Sequence, residues 1–461
     1  MMDADVLIIG AGPAGSAAAL EVDRAGLSAV IVDEQLEAGG QVYRSPRVQD
    51  SQSPGHRLRQ ELDGSGVVRR FGHRVWTVER EKTGSGFRIW TVHGGRSHET
   101  RAKALIVATG AIERNVPFPG WTLPGVSGLA AATVLLKAQN LLPGSRTVVA
   151  GAGPLLYLVA TSILRSGGTV AALVDATPLR RWVSPVLMGN PALLAKGALW
   201  WIQLQRASVP IYRGWAVKSA TGGSRLSAVE LAPLDAFHHT SETIDADSLC
   251  IGYGLRPSTE YARLLRADCI FRAGEGWGVD VDNAQRTSLP GLYACGDGAR
   301  IMGVADAPHS GRRAAQSALK DLGVAVRPVR PSGKISGGTR RRFAAHMNRI
   351  SKIPDILYDA MPDATIVCRC EGVRRETIDA AITDGARTLA DVKSETRCGM
   401  GSCGGRQCLE SVAALLSDQT EVDLPQLGVP RPRPPLRPVT IGELVGTFDY
   451  ADLPTPRPSP L

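Results

Sequence analysis

Apolar runs that end in glycine turns organise the first two thirds of the chain. Residues 6–34 contain an apolar run, a glycine turn, a segment of helical period, a glycine stop and a second apolar run that ends in acidic residues. Residues 147–176 repeat this order. Such an order is typical of a βαβ unit, in which a helix connects two parallel strands. The pattern therefore predicts an α/β protein with two Rossmann-like units in tandem.

Composition and further short strands divide the rest of the chain. Apolar segments that end in glycine follow each unit, a stretch rich in Arg, Lys, Ser and Gly begins near residue 327, and prolines accumulate after residue 425. We predict a first dinucleotide-binding domain at 1–122 with a return part at 246–327, a second Rossmann-like domain at 123–245, a linker at 328–363, a small helical domain at 364–420 and a proline-rich tail at 421–461. The tail is expected to run extended over a surface or a partner.

Two helices are predicted in the small domain, at 376–384 and 389–395. Gly385 is placed to end the first helix and Thr388 to cap the second. A further apolar segment at 193–204 is too short to span a membrane and contains charged and polar residues. This segment favours a core helix or a subunit contact.

Charge and the N-terminal segment limit the possible partners and location. The formal net charge is +9, but the basic residues are scattered along the 461-residue chain, which does not favour nucleic acid. The first residues lack the basic segment, long apolar core and cleavage site of a signal peptide. We therefore expect a cytoplasmic protein without a transmembrane segment, or one attached peripherally to the inner face of the membrane.

The first glycine motif is placed to bind a dinucleotide. Gly10, Gly12 and Gly15 form G-x-G-x-x-G between a predicted strand and helix. In this context the glycines permit a tight turn, close approach to a pyrophosphate and close packing of the helix. Asp33, at the end of the second strand, is placed to accept from ribose hydroxyls, with Glu34 as the alternative.

The second glycine motif departs from this pattern. Gly151 and Gly153 are present, but Leu156 takes the third glycine position. A leucine there is expected to push the helix away from the strand and narrow the phosphate approach. We therefore predict that NAD(P)H is not the working redox partner, and that this unit is either empty or holds an adenine nucleotide structurally.

Five of the eight cysteines lie between residues 368 and 408. Cys368 and Cys370 form one close pair, and Cys403 and Cys408 form another after a long intervening segment. A [2Fe-2S] cluster takes two thiolates on each iron, so two pairs satisfy its valence. Zinc also accepts four thiolates, although structural zinc sites favour wider spacing than C-x-C. Iron–sulfur is the favoured interpretation, and zinc and no metal are the alternatives.

The sequence resembles the two-dinucleotide-binding flavoproteins through GAGPAG at 10–15, VATGA at 107–111 and LYACGDGA at 292–299. This resemblance implies FAD, with Asp297 at the ribityl chain. Disulfide reductases of that family need a reactive cysteine pair near the flavin. No cysteine precedes Cys250, so the sequence excludes disulfide reduction of this type. Besides the three motif glycines and Asp33, the predicted FAD contacts are Ala14, Glu34, Gly40, Gln41, Thr109, Gly110, Gly296 and Asp297.

Nearly the whole chain resembles the α subunit of bacterial heteromeric amino-acid dehydrogenases, a group with opine oxidases, D-hydroxyproline and proline dehydrogenases and hydrogen cyanide synthase. The resemblance rests on VDEQLEAGGQVYR at 32–44, ATGAIERNVPFPGWTLPGV at 108–126, GYGLRP at 252–257 and CRCEGV with GMGSCGGRQC. The cysteine segment resembles the bacterioferritin-associated ferredoxin type (BFD-like), in which the position of Cys398 often holds a small residue that is not a ligand. Cys398 is therefore left out of the predicted ligands.

This resemblance implies a division of labour between two subunits. A flavin-containing β subunit, similar to glycine oxidase or D-amino-acid oxidase, would oxidise a secondary amine to an imine. The present chain would relay the electrons through FAD and [2Fe-2S] to a downstream acceptor, and some members have FMN at the subunit contact. No catalytic residue is nominated in this chain. The alternative is a self-contained NAD(P)H-dependent flavin and iron–sulfur reductase.

Overall fold

Two parallel β-sheets organise the chain, and a small helical domain follows them. A computed structural model describes residues 3–44, 53–82, 86–182, 191–326 and 337–445, without the side chains of 191–193 and 337–340. The α/β class and the tandem Rossmann-like arrangement predicted from the sequence are confirmed.

The first sheet has seven strands built around the first βαβ unit. Strands β1 and β2 are connected by helix α1 (Pro13–Arg24) and pair in parallel, and their apolar residues are buried. Such burial is typical of parallel strands, whose crossover helices cover the sheet. The strands are β1 (Ala4–Ile9), β2 (Ala29–Asp33), β3 (Val68–Phe71), β4 (Arg74–Arg80), β5 (Phe87–His93), β6 (Arg96–Val107) and β19 (Leu292–Ala294). Their order is β3-β2-β1-β6-β5-β4, with β19 parallel to β6. Helices α2 (Pro54–Asp63) and α8 (Ala307–Asp321) complete this part.

The second sheet has five parallel strands. They are β8 (Val126–Gly128), β9 (Arg146–Gly151), β10 (Thr169–Asp175), β11 (Ile211–Arg213) and β15 (Ser248–Gly252), in the order β11-β10-β9-β15-β8. The helices of this domain are α3 (Leu129–Val134), which continues as a π-helix at Leu135–Gln139, α4 (Pro154–Arg165), α5 (Leu179–Trp182) and α6 (Pro191–Arg206). An antiparallel sheet of β12 (Trp215–Gly222), β13 (Leu226–Pro233) and β14 (Glu242–Asp245) packs beside it.

The chain crosses between the two domains at two adjacent strands. β7 (Ala111–Glu113) pairs antiparallel with β16 (Leu255–Pro257), so the exit and the return lie side by side. Because β15 hydrogen-bonds to β9 and β8, the second domain extends past the predicted boundary at 245, to Gly252. Trp121 packs in the core of the second domain, so that domain also begins before residue 123. Hydrogen bonding within the sheet, rather than composition, fixes these boundaries.

Short elements complete the return part and the cysteine domain. Helix α7 (Glu260–Leu264) and the hairpin β17 (Cys269–Arg272) and β18 (Gly276–Val279) follow the return crossing. The cysteine domain contains β20 (Ile366–Cys368), β21 (Val373–Arg374), α11 (Arg375–Thr383), α12 (Leu389–Thr396) and α13 (Leu409–Thr420). The structure reproduces both predicted helices to within one residue, the Thr388 cap closes a capping box with Asp391, and Gly385 follows α11 with φ +117°.

The predicted linker and tail contain regular structure. Helix α9 (Gly337–Ile350) and α10 (Ile356–Asp359) lie inside the predicted linker 328–363, whose residues 328–336 are outside the described part. The linker prediction is therefore wrong for these two helices, because apolar residues such as Ile350 and Leu357 are buried. The tail contains α14 (Leu424–Leu427) and α15 (Ile441–Val445). Leu427 packs in a core shared with the cysteine domain, whereas Leu436 N–H donates to Trp76 O of the first domain, and residues 446–461 are outside the described part.

Helix α6 contains the apolar segment predicted to be a core or subunit-contact helix. Leu199 is 65 % exposed, and Leu194, Trp201 and Ile202 are also exposed. These residues are not part of the core, so the prediction of a core helix is wrong for them. The predicted subunit contact stays a prediction. Among the described residues, no helix combines the length and apolar character needed to cross a bilayer.

Candidate functional site

The first glycine loop leads directly from β1 into α1. Gly10 has φ +106°, and a Cβ there would collide with the carbonyl oxygen of Ala108, while a Cβ on Gly15 would collide with the carbonyl of Gly10. Both positions therefore require glycine. Among the described residues, a Cβ on Gly12 would meet only the Cα of Gly40, at 3.8 Å. The loop therefore leaves open space over Gly12, where a pyrophosphate could approach the N-terminus of α1.

Two acidic residues were candidates for the ribose contact. Asp33 lies at the end of β2, where its two carboxylate oxygens accept from Ala11 N at 2.6 Å and Gln35 N at 2.8 Å. Burial raises the pKa of Asp33 despite these hydrogen bonds. Glu34 and Gln41 are exposed. The contact with the glycine loop favours Asp33 over Glu34 as the ribose ligand.

The predicted FAD contacts Thr109 and Gly110, after β6, and Gly296 and Asp297, after β19, come together at the carboxyl ends of these strands. A Cβ on Gly298 would lie 3.2 Å from both Gly110 N and Thr109 Oγ1, so these two loops touch. A Cβ on Gly296 would lie 2.8 Å from Ala14 Cβ, which brings the second loop to the start of α1.

Asp297 lies within this contact region. Its Oδ1 accepts from Met302 N and Gly303 N, both at 2.9 Å, and burial raises its pKa. The open cradle over Gly12, with Asp33 and Asp297 beside it, fits a flavin dinucleotide. The individual contacts with FAD stay predictions.

Three cysteine thiols converge in the interior of the small domain. The Sγ atoms of Cys368, Cys398 and Cys408 lie within 4.8 Å of one another, and all three residues are buried. Hydrogen bonds from Cys398 and Cys408 hold the pKa of Cys368 well below its usual value. Gly399 N–H also donates to Cys368 Sγ, at 3.5 Å. Cys368 is therefore favoured as a thiolate, the form that binds metal.

The other two predicted ligands form a second pair. The thiols of Cys370 and Cys403 are hydrogen-bonded neighbours, and burial together with this hydrogen bond raises the pKa of Cys403. A Cβ on Gly401 would collide with Cys370 Cβ, which explains a glycine at this close approach. Cys368 with Cys408 and Cys370 with Cys403 make two pairs of neighbouring thiols, which fit the two irons of a [2Fe-2S] cluster. These pairs differ from those predicted from the spacing, because the fold brings each cysteine of C-x-C to a different cysteine of the later loop.

Cys398 does not stand apart from this group, although the sequence predicts that it is not a ligand. Its thiol lies beside those of Cys368 and Cys408, and a hydrogen bond with Cys368 and the charge of Cys403 raise its pKa, so the small domain offers five thiols in two neighbouring groups. A [2Fe-2S] cluster uses four of them. The ligand set Cys368, Cys370, Cys403 and Cys408 therefore remains a prediction.

The second glycine loop is closed by the chain itself. A Cβ on Gly153 would collide with Ser351 Oγ, and a Cβ on Gly254 would lie 2.7 Å from Ser351 Cβ. Ser351 follows α9 directly, and the preceding Ile350 O accepts from Thr177 Oγ1 at 3.2 Å. Leu156 is fully buried among apolar residues. The observed obstruction over the phosphate loop is thus Ser351, which sequence reasoning missed, because the loop and the serine are almost 200 residues apart.

The acidic residue that corresponds to Asp33 in the second unit is Asp175. It is fully buried, and its oxygens accept from Tyr157 Oη at 2.8 Å, Trp182 Nε1 at 3.1 Å and Thr177 N at 2.9 Å. Its hydrogen-bonding capacity is therefore largely used within the chain. This arrangement does not favour a nucleotide ribose at this position.

The cysteine domain is joined to both other domains by hydrogen bonds that sequence reasoning did not identify. Arg114 Nε, just after β7, donates to Glu410 Oε1 at 2.7 Å, and Trp121 Nε1 donates to Ile366 O at 2.6 Å. Arg406 Nε donates to Glu260 Oε1 at 2.8 Å. All three donors lie in segments that the sequence singled out, Arg114 and Trp121 in 108–126 and Arg406 in the cysteine motif, but nothing local indicates their partners.

Comparison with known proteins identifies both parts of this arrangement. The profile of the pyridine nucleotide-disulphide oxidoreductases matches residues 4–321. The chain belongs to this family. The profile of the BFD-like [2Fe-2S] binding domain matches residues 366–418, which confirms the predicted type of the cysteine domain.

Relatives of similar length give a narrower resemblance. The A subunit of opine oxidase from Rhizobium meliloti (strain 1021) is 32% identical over 95% of this chain and 98% of its own length. The HcnB subunit of hydrogen cyanide synthase from Pseudomonas aeruginosa is 32% identical over 94% of this chain and 96% of its own. The chain is thus similar over nearly its full length to subunits of multi-subunit enzymes, as the resemblance in its sequence implied.

A solved structure supports the fold over nearly the whole chain. The L-proline dehydrogenase of P. horikoshii superposes with a TM-score of 0.70 at 22% identity, and the match covers 96% of this chain and 79% of that one. At this identity the likeness speaks for the fold alone.

Proposed function

We propose that this chain is the electron-transfer subunit of a heteromeric flavin-dependent dehydrogenase that oxidises a secondary amine or imino acid. The substrate class would be an opine, such as octopine or nopaline, or D-hydroxyproline or proline. FAD takes up two electrons together, and a [2Fe-2S] cluster passes one at a time. A chain that holds both is suited to relaying electrons from a partner to an acceptor that takes single electrons.

The observation that carries this proposal is that the predicted FAD site and the cysteine group lie in domains that are hydrogen-bonded to each other. Arg406 of the cysteine domain is hydrogen-bonded to Glu260 in the return part of the first dinucleotide-binding domain, called here the flavin-type domain. Glu410 of the cysteine domain is hydrogen-bonded to Arg114 beside the interdomain crossing. Buried charged pairs of this kind hold a fixed geometry, because separating them leaves an uncompensated charge. Electron transfer between two cofactors needs such a fixed separation.

The second Rossmann-like domain argues against the alternative, a self-contained NAD(P)H-dependent reductase. Ser351 occupies the approach to Gly153, and Asp175 is used by Tyr157 and Trp182. The same contacts speak against an adenine nucleotide in this domain. Electrons would therefore enter from another protein rather than from a nicotinamide.

The names of the relatives support a partner. The opine oxidase and hydrogen cyanide synthase relatives are both named as subunits of larger enzymes. The partner proposed here is a flavin-containing β subunit of the glycine-oxidase or D-amino-acid-oxidase type, with FMN at the contact between the subunits. The β subunit would hold the amine pocket, so the choice of substrate would lie there.

Co-expression tests this function. The chain is produced alone and together with a flavin amine oxidase encoded beside its gene, and octopine, nopaline, D-hydroxyproline and proline are screened by reduction of an artificial dye. We expect dye reduction by the complex with one of these amines and none by the chain alone. Full-rate oxidation by the isolated chain would overturn the relay proposal.

A further inference from the structure

Arg406 lies between two of the predicted cluster ligands and contacts three separate parts of the chain. Its Nη1 donates to Cys403 O at 2.9 Å, within the cysteine loop itself. Its Nη2 donates to Leu436 O of the tail at 2.9 Å. Its Nε donates to Glu260 Oε1 at 2.8 Å, at the start of α7 in the flavin-type domain. One guanidinium thus joins the cysteine loop, the tail and the flavin-type domain.

Glu260 continues this connection toward the predicted flavin loop. Its other oxygen, Oε2, accepts from Ser258 Oγ at 2.7 Å. The carbonyl of Ser258 accepts from Thr109 Oγ1 at 2.9 Å, and Ser258 N donates to Gly110 O at 3.0 Å. Thr109 and Gly110 are the loop predicted to contact FAD. A continuous set of hydrogen bonds therefore leads from the Cys403 backbone to that loop.

The ion pair is shielded from water. The side chain of Arg406 is 15% exposed and that of Glu260 is 7% exposed. Charges in such surroundings are weakly screened, so they act on a nearby redox group more strongly than surface charges do. A cluster becomes more negative by one charge for each electron that it accepts, and nearby charge and hydrogen bonds tune its potential.

We propose that the ion pair between Arg406 and Glu260 is a positioning contact that fixes the cluster loop against the flavin-type domain, and that its two charges set the reduction potential of the cluster in opposite directions. This inference rests on the proposed function, because it assigns the residues that couple its two redox sites. Arg406 stabilises the reduced, more negative cluster and raises its potential. Glu260 lowers it.

The first experiment measures the midpoint potential of the cluster in the full chain by dithionite titration, followed by EPR. Arg406→Gln removes a positive charge, so we expect a shift to lower potential. Glu260→Gln removes a negative charge at nearly constant shape, so we expect a shift to higher potential. A purely structural role of the pair would not give shifts of opposite sign. Shifts of the same sign, or no shift with an intact cluster, would overturn the proposal.

Arg375→Gln is the matched control. Arg375 belongs to the same small domain, is also 15% exposed and pairs with Asp379 at 3.1 Å. Its guanidinium donates to Asp379 and to the carbonyls of residues 358, 359 and 361, none of which belongs to the flavin-type domain. We expect a loss of stability and a much smaller potential shift than in Arg406→Gln. An equal shift would mean that any buried cation of the module acts alike, which would overturn the specific role of Arg406.

Arg406→Lys separates position from charge, and it guards against a misfolded Arg406→Gln variant. Lysine keeps the charge but cannot bond three carbonyl and carboxylate partners in the geometry of a guanidinium. We expect a nearly unchanged potential. After photoreduction of the flavin, one electron leaves the flavin and enters the oxidised cluster, and we expect this transfer to be at least several-fold slower than in the unaltered chain. Unaltered transfer would refute the positioning role.

The two proposals fail in different ways. If the photoreduced flavin of the unaltered chain does not reduce the cluster, the relay function fails. The dithionite potentials do not depend on the flavin, so they test the ion pair in either case.

Discussion

The hydroxyl of Tyr157 donates a 2.8 Å hydrogen bond to the buried carboxylate of Asp175. In the first unit, the corresponding residue Asp33 lies beside an open glycine loop. The two halves of the internal repeat therefore share a backbone pattern but differ in what their acidic residues are free to bind.

The first prediction concerns nicotinamide nucleotides. On anaerobic mixing with NADH or NADPH, we expect the flavin absorbance of the isolated chain to stay unchanged over seconds, because Ser351 and the partners of Asp175 occupy the second unit. Dithionite should bleach the same sample, which controls for a reducible flavin. Rapid bleaching by either nucleotide would contradict the closed site and favour a self-contained reductase.

The second prediction tests the first glycine loop. Gly12 has φ −70°, which alanine adopts easily, and within the described part of the chain a Cβ there touches only Gly40 Cα. Gly12→Ala should therefore fold with an unchanged circular dichroism spectrum and lose most of its FAD, because the methyl group enters the pyrophosphate space.

Gly197→Ala is the control for this substitution. Gly197 lies inside helix α6, and a methyl group added to it would have no neighbour within 4 Å among the residues that the structure describes. We expect full FAD content and a stability change of at most about 1 kcal/mol in the favourable direction. A Gly12→Ala protein with full FAD content would place the dinucleotide elsewhere.

The third prediction concerns the cysteines. Cys368→Ser, Cys370→Ser, Cys403→Ser and Cys408→Ser should each lower iron and sulfide content and remove the iron–sulfur absorption bands. Cys398→Ser should keep the cluster, because two pairs already satisfy the irons. Cys250→Ser is the control, since Cys250 is buried in the second domain, where its thiol contacts Ser127.

Two outcomes would change the metal assignment. Cluster loss in Cys398→Ser equal to that in Cys408→Ser would make Cys398 a ligand. Zinc in elemental analysis, without iron–sulfur bands, would replace the cluster with a structural zinc site.

The fourth prediction is a pH dependence centred on Glu113. Burial raises its pKa to about 8 from 4.5, although its carboxylate accepts from Ala130 N at 3.0 Å. Between these pH values the folded chain keeps a proton that the unfolded chain releases. The contribution of Glu113 to stability therefore falls as pH rises, by up to about 1.4 kcal/mol per pH unit.

Glu113→Gln removes this titration. The melting temperature of the variant relative to the unaltered chain should therefore be higher at pH 8 than at pH 5. A difference that is constant between the two pH values would show that the carboxyl group is ionised throughout.

Local sequence was sufficient for much of the fold. The apolar runs and glycines of residues 6–34 and 147–176 predicted both βαβ units, and Thr388 and Gly385 predicted the limits of the helices they flank. These features depend on neighbours within a few residues, where backbone geometry and side-chain period act directly. The spacing of the cysteines likewise favoured an iron–sulfur cluster, and the resemblance of their segment to the BFD-like type implied the type of the C-terminal domain.

Long-range packing decided what the pattern could not. The closing of the Gly153 loop by Ser351, the placing of Cys398 beside Cys368 and the pairing of Arg406 with Glu260 each join residues that are distant in the chain. A serine after a helix or an arginine in a loop gives no local sign of its partner. Only the folded chain brings these groups together, because the packing of elements that are distant in the sequence fixes which polar atoms meet.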